Sequence, residues 1–444
     1  MSLRSVFTLS FLFFLLTSIC PIPFPGASLW AVSAAQAQST PAEIQTKTSK
    51  KQTRHAGVRT RVVTRKKNVP SEFLMISVPT YNDSAIVEIA ETFGPYRGGE
   101  RAVGAGMIVS YLSQSPEKIE KRLRNFLKMS EDHSIPIVLE MEGINYWQAR
   151  PDLWNWWMPD KPGYDPENRK NVEWSSWSPE DAVKVGWRNW GSQHRVLPMP
   201  NLSSPEYLEA CYTELNHLIP IILDWWQQLP AHKKHLLVGI QLGVEISIGA
   251  NNWYYPNGND LLDKPASEDP RYGLSHDELP GRGAQPIGYA AVSTLEIANS
   301  GKLTEWQVTQ AVDKYVLRLS KLVSELGVPR EKLYVHAGGW KPGESVYGVA
   351  MNKYACPGWS FYEHARDVSG DKTAMMVVEK SEAPYWAVAE WLDFGATTEA
   401  DWLTGFRNAF ALPRMRYFQI RHWGSIEKKP EAIKAISEFV NSSF

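Results

Sequence analysis

Two glutamates in this chain stand where a carboxylate could do chemistry. Glu245 closes the apolar run Leu236 to Leu242 within HLLVGIQLGVEISIGANNWYYPNGND (235–260), and Glu390 closes a second run over Tyr385 to Trp391. Cleaving a glycosidic bond takes one carboxylic acid to protonate the leaving oxygen and a second carboxylate to attack the anomeric carbon or to activate water. A separation of about 5 to 5.5 Å between the two goes with retention, and roughly 6.5 to 9.5 Å with inversion. Beyond Glu245 come Asn251, Asn252, Trp253, Tyr254, Tyr255, Asn257 and Asn259, rings and amides that suit a neutral polyhydroxylated ligand, hence a sugar. Asp393 lies close enough to Glu390 to compete for its role.

The elements that must bring these acids together alternate along the chain. Strand-like runs cover 73–78, 102–111, 135–142, 236–247, 333–337, 359–362, 385–391 and 416–423. Helical periodicity covers 116–133, 205–229 (interrupted by Pro220), 304–326, 400–411 and 430–440. Eight strands alternating with helices predict an α/β fold, a (β/α)8 TIM barrel with long insertions after strands three and four. Such a barrel works at the C-terminal ends of its strands. That rule collects Tyr81, Glu140, Glu142, Glu245, Trp340, Tyr362, Glu363, Glu390, His422 and Trp423. Strand alternation puts Glu140 and Glu142 on one side, and Glu142, nearer the strand end, is expected in the pocket as a supporting contact.

The insertion from Asn145 to Arg195 interleaves tryptophans with amides and charges, a composition that fits either a wall of sugar-stacking subsites or a self-packed loop. Trp147 and Trp174, each next to a polar residue, are the expected stacking platforms, with Asn251, Trp253, Tyr254, Trp340, Tyr362, His422 and Trp423 completing the substrate-binding set.

With these motifs the chain resembles the (β/α)8 glycoside hydrolases of clan A, whose acid/base Glu ends strand four and whose nucleophile Glu ends strand seven. The resemblance implies those roles for Glu245 and Glu390, and implies that Trp423 in RHWG is the aromatic carried after strand eight. The family has Asn before its strand-four Glu where this chain has Val244, so Gln241 or Asn251 would have to take over its contact. The segment GVEISIGANNWYYPNGN is also similar to β-amylases, which invert. Both stereochemical courses therefore stay open, retention being the one the clan A likeness favours.

Composition bounds the rest. Lys and Arg total 47 against 48 Asp and Glu over 444 residues, which excludes a field that would gather nucleic acid. Arg4, the apolar run Val6 to Leu16 and Ala35-Gln36-Ala37 predict a signal peptide over 1–37, hence a secreted or periplasmic protein without stable membrane insertion. Residues 38–70 are polar and basic and read as a disordered linker suited to weak contact with anionic envelope polymers; 71–444 is the catalytic domain. Cys211 and Cys356 could pair or stay buried thiols. No metal-ligand spacing, dinucleotide loop, Walker motif or serine-nucleophile elbow is present, so no metal or cofactor is expected. The expected function is an exported glycoside hydrolase; the alternatives are a non-catalytic carbohydrate-binding barrel of the cell envelope and a transglycosylase using the same acids.

Overall fold

The computed structural model describes residues 69–249, 251–256, 266–274, 283–339 and 343–442. The expected signal and nearly all of the linker lie outside them, as does Trp340. The described residues form eleven strands: β1 (Glu72–Ser77), β2 (Arg101–Ser110), β3 (Ile137–Glu142), β4 (Gly186–Asn189), β5 (Gln193–Val196), β6 (Leu237–Ile246), β7 (Asn252–Trp253), β8 (Leu333–Ala337), β9 (Cys356–Phe361), β10 (Trp386–Trp391) and β11 (Met415–Ile420). Eight of them close into a parallel barrel in the order β1-β2-β3-β6-β8-β9-β10-β11, with β11 hydrogen-bonded back to β1. The (β/α)8 expectation holds. The helices are α1 (Ala85–Phe93), α2 (Pro116–His133), α3 (Pro151–Trp154), α4 (Pro205–Gln228), α5 (Tyr289–Thr294), α6 (Glu305–Glu325), α7 (Lys372–Lys380), α8 (Glu399–Phe410), α9 (Trp423–Ile426) and α10 (Pro430–Asn441). Contrary to expectation, Pro220 does not interrupt α4, which runs through it.

Local sequence explains the helices. α2 starts with Pro116 at its first turn and buries Ile119, Leu123, Phe126 and Leu127 along one stripe. A reciprocal capping box between Thr304 and Gln307 starts α6, which buries Ala311, Val312, Tyr315, Val316, Leu319 and Val323.

The barrel strands are buried on both faces, so alternation sorts residues between the barrel axis and the helix layer. Towards the N-terminal ends the axis is apolar, filled by Phe73, Met75, Val138, Val238, Tyr334 and Tyr417. Further up, Glu140, Gln241, His336 and Gln419 take the same inward positions, and all four are fully buried. Gly106 makes room for this layer, since a Cβ there would lie 2.6 Å from Gln419 Oε1.

Between β3 and α4, and again after β6, the chain leaves the barrel. The strands β5-β4-β7 from these two excursions pair into a small antiparallel sheet, Trp187 opposite Trp253 and Arg188 opposite Asn252. Val185, Trp187, Trp253 and Tyr255 make a satellite core beneath it. Buried Glu173 ties the excursions together a second time, accepting the amides of Ala290 (3.1 Å) and Ala291 (3.3 Å) at the start of α5. Cys211 and Cys356 are separate buried thiols.

Trp391 shows how packing and site share a strand. Glu390 points to the axis, whereas Trp391 points outward onto Trp402 (5.3 Å between ring centres), Phe406 (5.8 Å) and Phe418 (5.0 Å), its Nε1 donating to Ala365 O at 2.8 Å. Trp391→Ala is expected to destabilise the protein by about 3–5 kcal/mol, the usual cost of emptying a buried aromatic site. Chemical denaturation monitored by circular dichroism would measure it, and a loss below about 1 kcal/mol would contradict this packing.

Candidate active site

Both strand-end glutamates sit on irregularities of their strands. On β6 the pairing to β8 skips from Leu242 opposite Val335 to Ile246 opposite Ala337, so Gly243 to Glu245 bulge out of the ladder. Gly243 has φ +73°, and a Cβ there would meet Ile246 Cγ1 at 2.1 Å; Glu245 itself is left-handed at φ +52°. On β10 the register to β9 shifts between Val388 and Glu390, which brings Glu390 opposite Ser360. A bulge turns a side chain off the strict alternation, and here it does so at each carboxylate.

The two carboxylates meet around Ser360. Its hydroxyl donates to Glu245 Oε1 at 2.7 Å, while its backbone is the direct neighbour of Glu390 on the adjacent strand. Asn251 Nδ2 donates to Glu245 Oε2 at 3.0 Å. Glu390 accepts from the Tyr362 hydroxyl through Oε1 and pairs with Arg421 Nη1 through Oε2 at 3.2 Å. Each acid is 6% exposed. Burial, and then the nearby charge of Glu390, push the Glu245 carboxyl up to about 7 from the ordinary range, against the pull of Arg188, Ser360 and Arg421. Burial thus keeps the proton on one acid towards neutrality, while the other is ion-paired with a guanidinium.

Beneath Glu245 a chain of hydrogen bonds runs down the barrel axis. Ser360 Oγ, already donating to Glu245, contacts His336 Nε2 at 2.8 Å; His336 Nδ1 meets Gln241 Nε2 at 3.3 Å; Gln241 Nε2 also reaches Glu140 Oε2 at 3.4 Å. Gln419 Nε2 donates to Glu140 Oε1 at 2.8 Å, and the Tyr417 hydroxyl donates to Gln241 Oε1 at 2.7 Å. These partners assign His336 as the neutral tautomer carrying its proton on Nε2. Burial agrees, lowering its pKa to about 4. Burial also raises Glu140, to about 7.

The mouth above the acids carries aromatic rings and cations. Phe394, 77% exposed, lies 6.0 Å from the Tyr362 ring. Trp190, 39% exposed, stacks on Tyr146 at 5.7 Å. The half-buried Tyr146 hydroxyl is pushed up to about 12 by burial and then by Glu142, and it also feels Arg421, Arg188 and Tyr81. Glu142 spends Oε1 on the backbone amides of Ile144 (2.7 Å) and Asn145 (2.6 Å). His422 follows Arg421 and is close enough to Glu390 to feel its charge.

Of the residues singled out in the sequence, Glu245, Glu390, Glu142, Asn251, Tyr362 and His422 are therefore brought together. Several expected platforms are not. Trp147 is fully buried with Nε1 on Pro198 O (3.1 Å) and its ring on Tyr207, and Trp174 is buried with Nε1 on Arg169 O (2.7 Å). Trp253 is in the satellite core, and Tyr254 is buried against the main core while bridging to Gln285. Trp423 turns to α1, edge-on to Phe93 and donating to Glu88 at 2.8 Å. Large rings are what fill cores: Trp253 goes to the satellite core, and Trp147, Trp174, Tyr254 and Trp423 to the main one. Sequence alone gives no pocket role to Arg421, although it directly precedes His422 at a strand end, nor to Ser360, His336 and Phe394; Tyr146, Arg188 and Trp190 belong to the insertion expected to form a wall of subsites, but not to its expected platforms.

No family model matches the chain, and no curated protein does. Solved structures similar to it are glycoside hydrolases. The catalytic domain of β-amylase from Paenibacillus polymyxa is 9% identical, with a TM-score of 0.45 over 84% of this chain and 98% of that one. β-Galactosidase from Marinomonas ef1 is 12% identical, TM-score 0.44, over 83% of this chain and 59% of that one. A GH20 exo-β-N-acetylglucosaminidase from Vibrio harveyi, solved with N-acetylglucosamine, is 10% identical, TM-score 0.42, over 85% of this chain and 55% of that one.

A carboxyl whose pKa is raised on folding contributes stability below its unfolded pKa, and that contribution is lost as pH rises through the folded value. For Glu245 the window runs from about 4.5 to about 7. Glu245→Gln, which cannot ionise, is expected to gain about 1–3 kcal/mol over the wild type at pH 8, with the gain vanishing towards pH 4. Urea denaturation of both proteins across pH 4 to 8 measures this, and a gain independent of pH would contradict the burial of the charge.

Proposed function

We propose that the protein is a glycoside hydrolase in which Glu245 is the general acid/base and Glu390 the nucleophile or second base. The observation that carries the reading is the contrast between two glutamates beside one serine: Glu245 kept protonated towards neutrality by its dry setting, Glu390 gripped by Arg421 and Tyr362. Protonating a glycosidic oxygen demands a carboxylic acid that still has its proton at working pH. Stabilising an oxocarbenium-like transition state demands a carboxylate across from it. Asn251, bound to Glu245, fixes the acid's orientation, and the exposed faces of Trp190 and Phe394 are platforms for the C–H faces of sugar rings.

Ser360 and Asn251, with the neutral His336 behind Ser360, let Glu245 give up and regain its proton without moving, since none of these donors has to change charge. If Glu390 attacks the anomeric carbon, the product keeps its configuration; if Glu390 activates water, the configuration inverts, and proton NMR of the first-formed anomer separates the two. Export follows from the signal-like segment ahead of Gln38, and the N-terminal residue of protein recovered from a periplasmic or culture fraction tests it.

Glu245→Gln should lower turnover by about 10²–10⁴-fold on substrates with poor leaving groups and much less on aryl glycosides whose leaving group needs no proton. Glu390→Gln should abolish both. The wild-type kcat should fall as pH rises through about 7, where the acid loses its proton. A glycan panel scored for released reducing ends is the measurement. Binding with no release from any substrate would instead indicate a carbohydrate-binding barrel, and an active Glu245→Gln on poor leaving groups would remove Glu245 from its role.

A further inference from the structure

Arg188 lies in the middle of β4, where Trp187 turns into the satellite core and alternation sends its neighbour to the opposite face. On that face the guanidinium feels Glu245 first, then Glu142, Tyr146 and Glu390. It is 3% exposed. Even so, the Arg188 side chain has no hydrogen bond and no ion pair within 4.0 Å among the described residues, and its Nε is fully buried without a partner. Its register partner on β7, Asn252, likewise presents a buried Nδ2 with nothing to donate to.

A guanidinium this deeply buried without a side-chain partner is costly, because its Nε–H has left water and nothing replaces it. Arg188 acts on the neighbouring acids only from a distance and leaves its own donors unfilled. Glu390 is already paired with Arg421 and Tyr362, Glu142 Oε1 takes two backbone amides while its buried Oε2 has no partner, and Glu245 takes Ser360 and Asn251. What remains is a forked cation and an amide donor side by side, both buried, in the wall close to the two acids that would act on the sugar bond. A planar or tetrahedral oxyanion is the group that satisfies such a fork.

We propose that Arg188 and Asn252 form a subsite for an acidic group on the sugar, a carboxylate or a sulfate ester, so that the substrate is an anionic rather than a neutral glycan. This rests on the reading that sugars enter this mouth. The even charge of the whole chain conceals the preference, because the cation that expresses it is a single residue on a loop-borne sheet. The Arg188 charge would also offset the repulsion that such an acid meets from Glu142 and Glu390.

Calorimetry on the full chain at neutral pH, using glucuronic, galacturonic and mannuronic acid and glucose 6-sulfate each against its neutral parent sugar, tests the proposal. At least one acidic sugar is expected to bind about tenfold or more tighter than its parent. The uronic acids and the sulfate ester distinguish the two anions. Arg188→Met should erase that preference, and Arg188→Lys should keep part of it. Wild-type protein that binds every parent sugar as tightly as its acid overturns the subsite, and that outcome does not depend on any variant folding. Aryl glucosides and aryl glucuronides assayed alongside separate the two readings. Cleavage of the neutral glycoside with no preference for acid in binding removes the subsite and leaves the hydrolase; an Arg188-dependent preference with no cleavage of either removes the hydrolase and leaves the subsite.

Discussion

Moving a carboxyl group out of water makes its charged form costly, so whatever holds it there has to stabilise it without supplying a full compensating charge. Around Glu245 the direct partners meet that condition. Ser360 and Asn251 are neutral donors, and behind Ser360 the imidazole of His336 is kept uncharged by its own burial. The two guanidiniums act at a distance: Arg421 is bound to Glu390, and Arg188 makes no direct contact with either acid. The polar layer across the barrel axis therefore works as a support for one acid. Its cost in desolvation is offset by a nearly complete set of hydrogen bonds from Ser360 to Gln419.

The same economy shapes the backbone. A regular parallel strand would send the residues near its end alternately to the axis and to the helices, with no choice of angle. The extra residues in β6 and β10 give each carboxylate an aim of its own, and the left-handed conformation of Glu245 is stored strain of the sort that binding sites carry. Gly243 provides the turn that makes this possible.

All eight barrel strands and the long helices were legible in the sequence, because each is a run of apolar residues at a regular period, bounded by turn formers. Glu245 and Glu390 were legible for the same reason: they close such runs. The bulges that aim them were not, since register depends on the partner strand and cannot be read from one strand alone. The small sheet escaped notice because β4, β5 and β7 are only two to four residues long and show no period. With that sheet unseen, the tryptophans of the first excursion could not be sorted. Trp147 and Trp174 look like platforms beside their polar sequence neighbours, yet it is Trp190, near the turn between β4 and β5, that reaches the surface. Arg188 is the clearest case, an unremarkable arginine in sequence whose setting is made entirely by tertiary pairing.

The sheet also links two parts of the mouth that are far apart along the chain. One excursion leaves from β3 and the other from the neighbouring strand β6, and the pairing of β4 with β7, together with the hydrogen bonds from the start of α5 to Glu173, welds them into one wall. Neither half has a core without the other, as Trp187 and Trp253 come from opposite sides of the seam. Ordinary barrels can exchange their loops one at a time; this one would have to inherit or lose the two as a unit, so variation in what the mouth accepts is expected to arise by changing side chains on the wall and not by trading its loops.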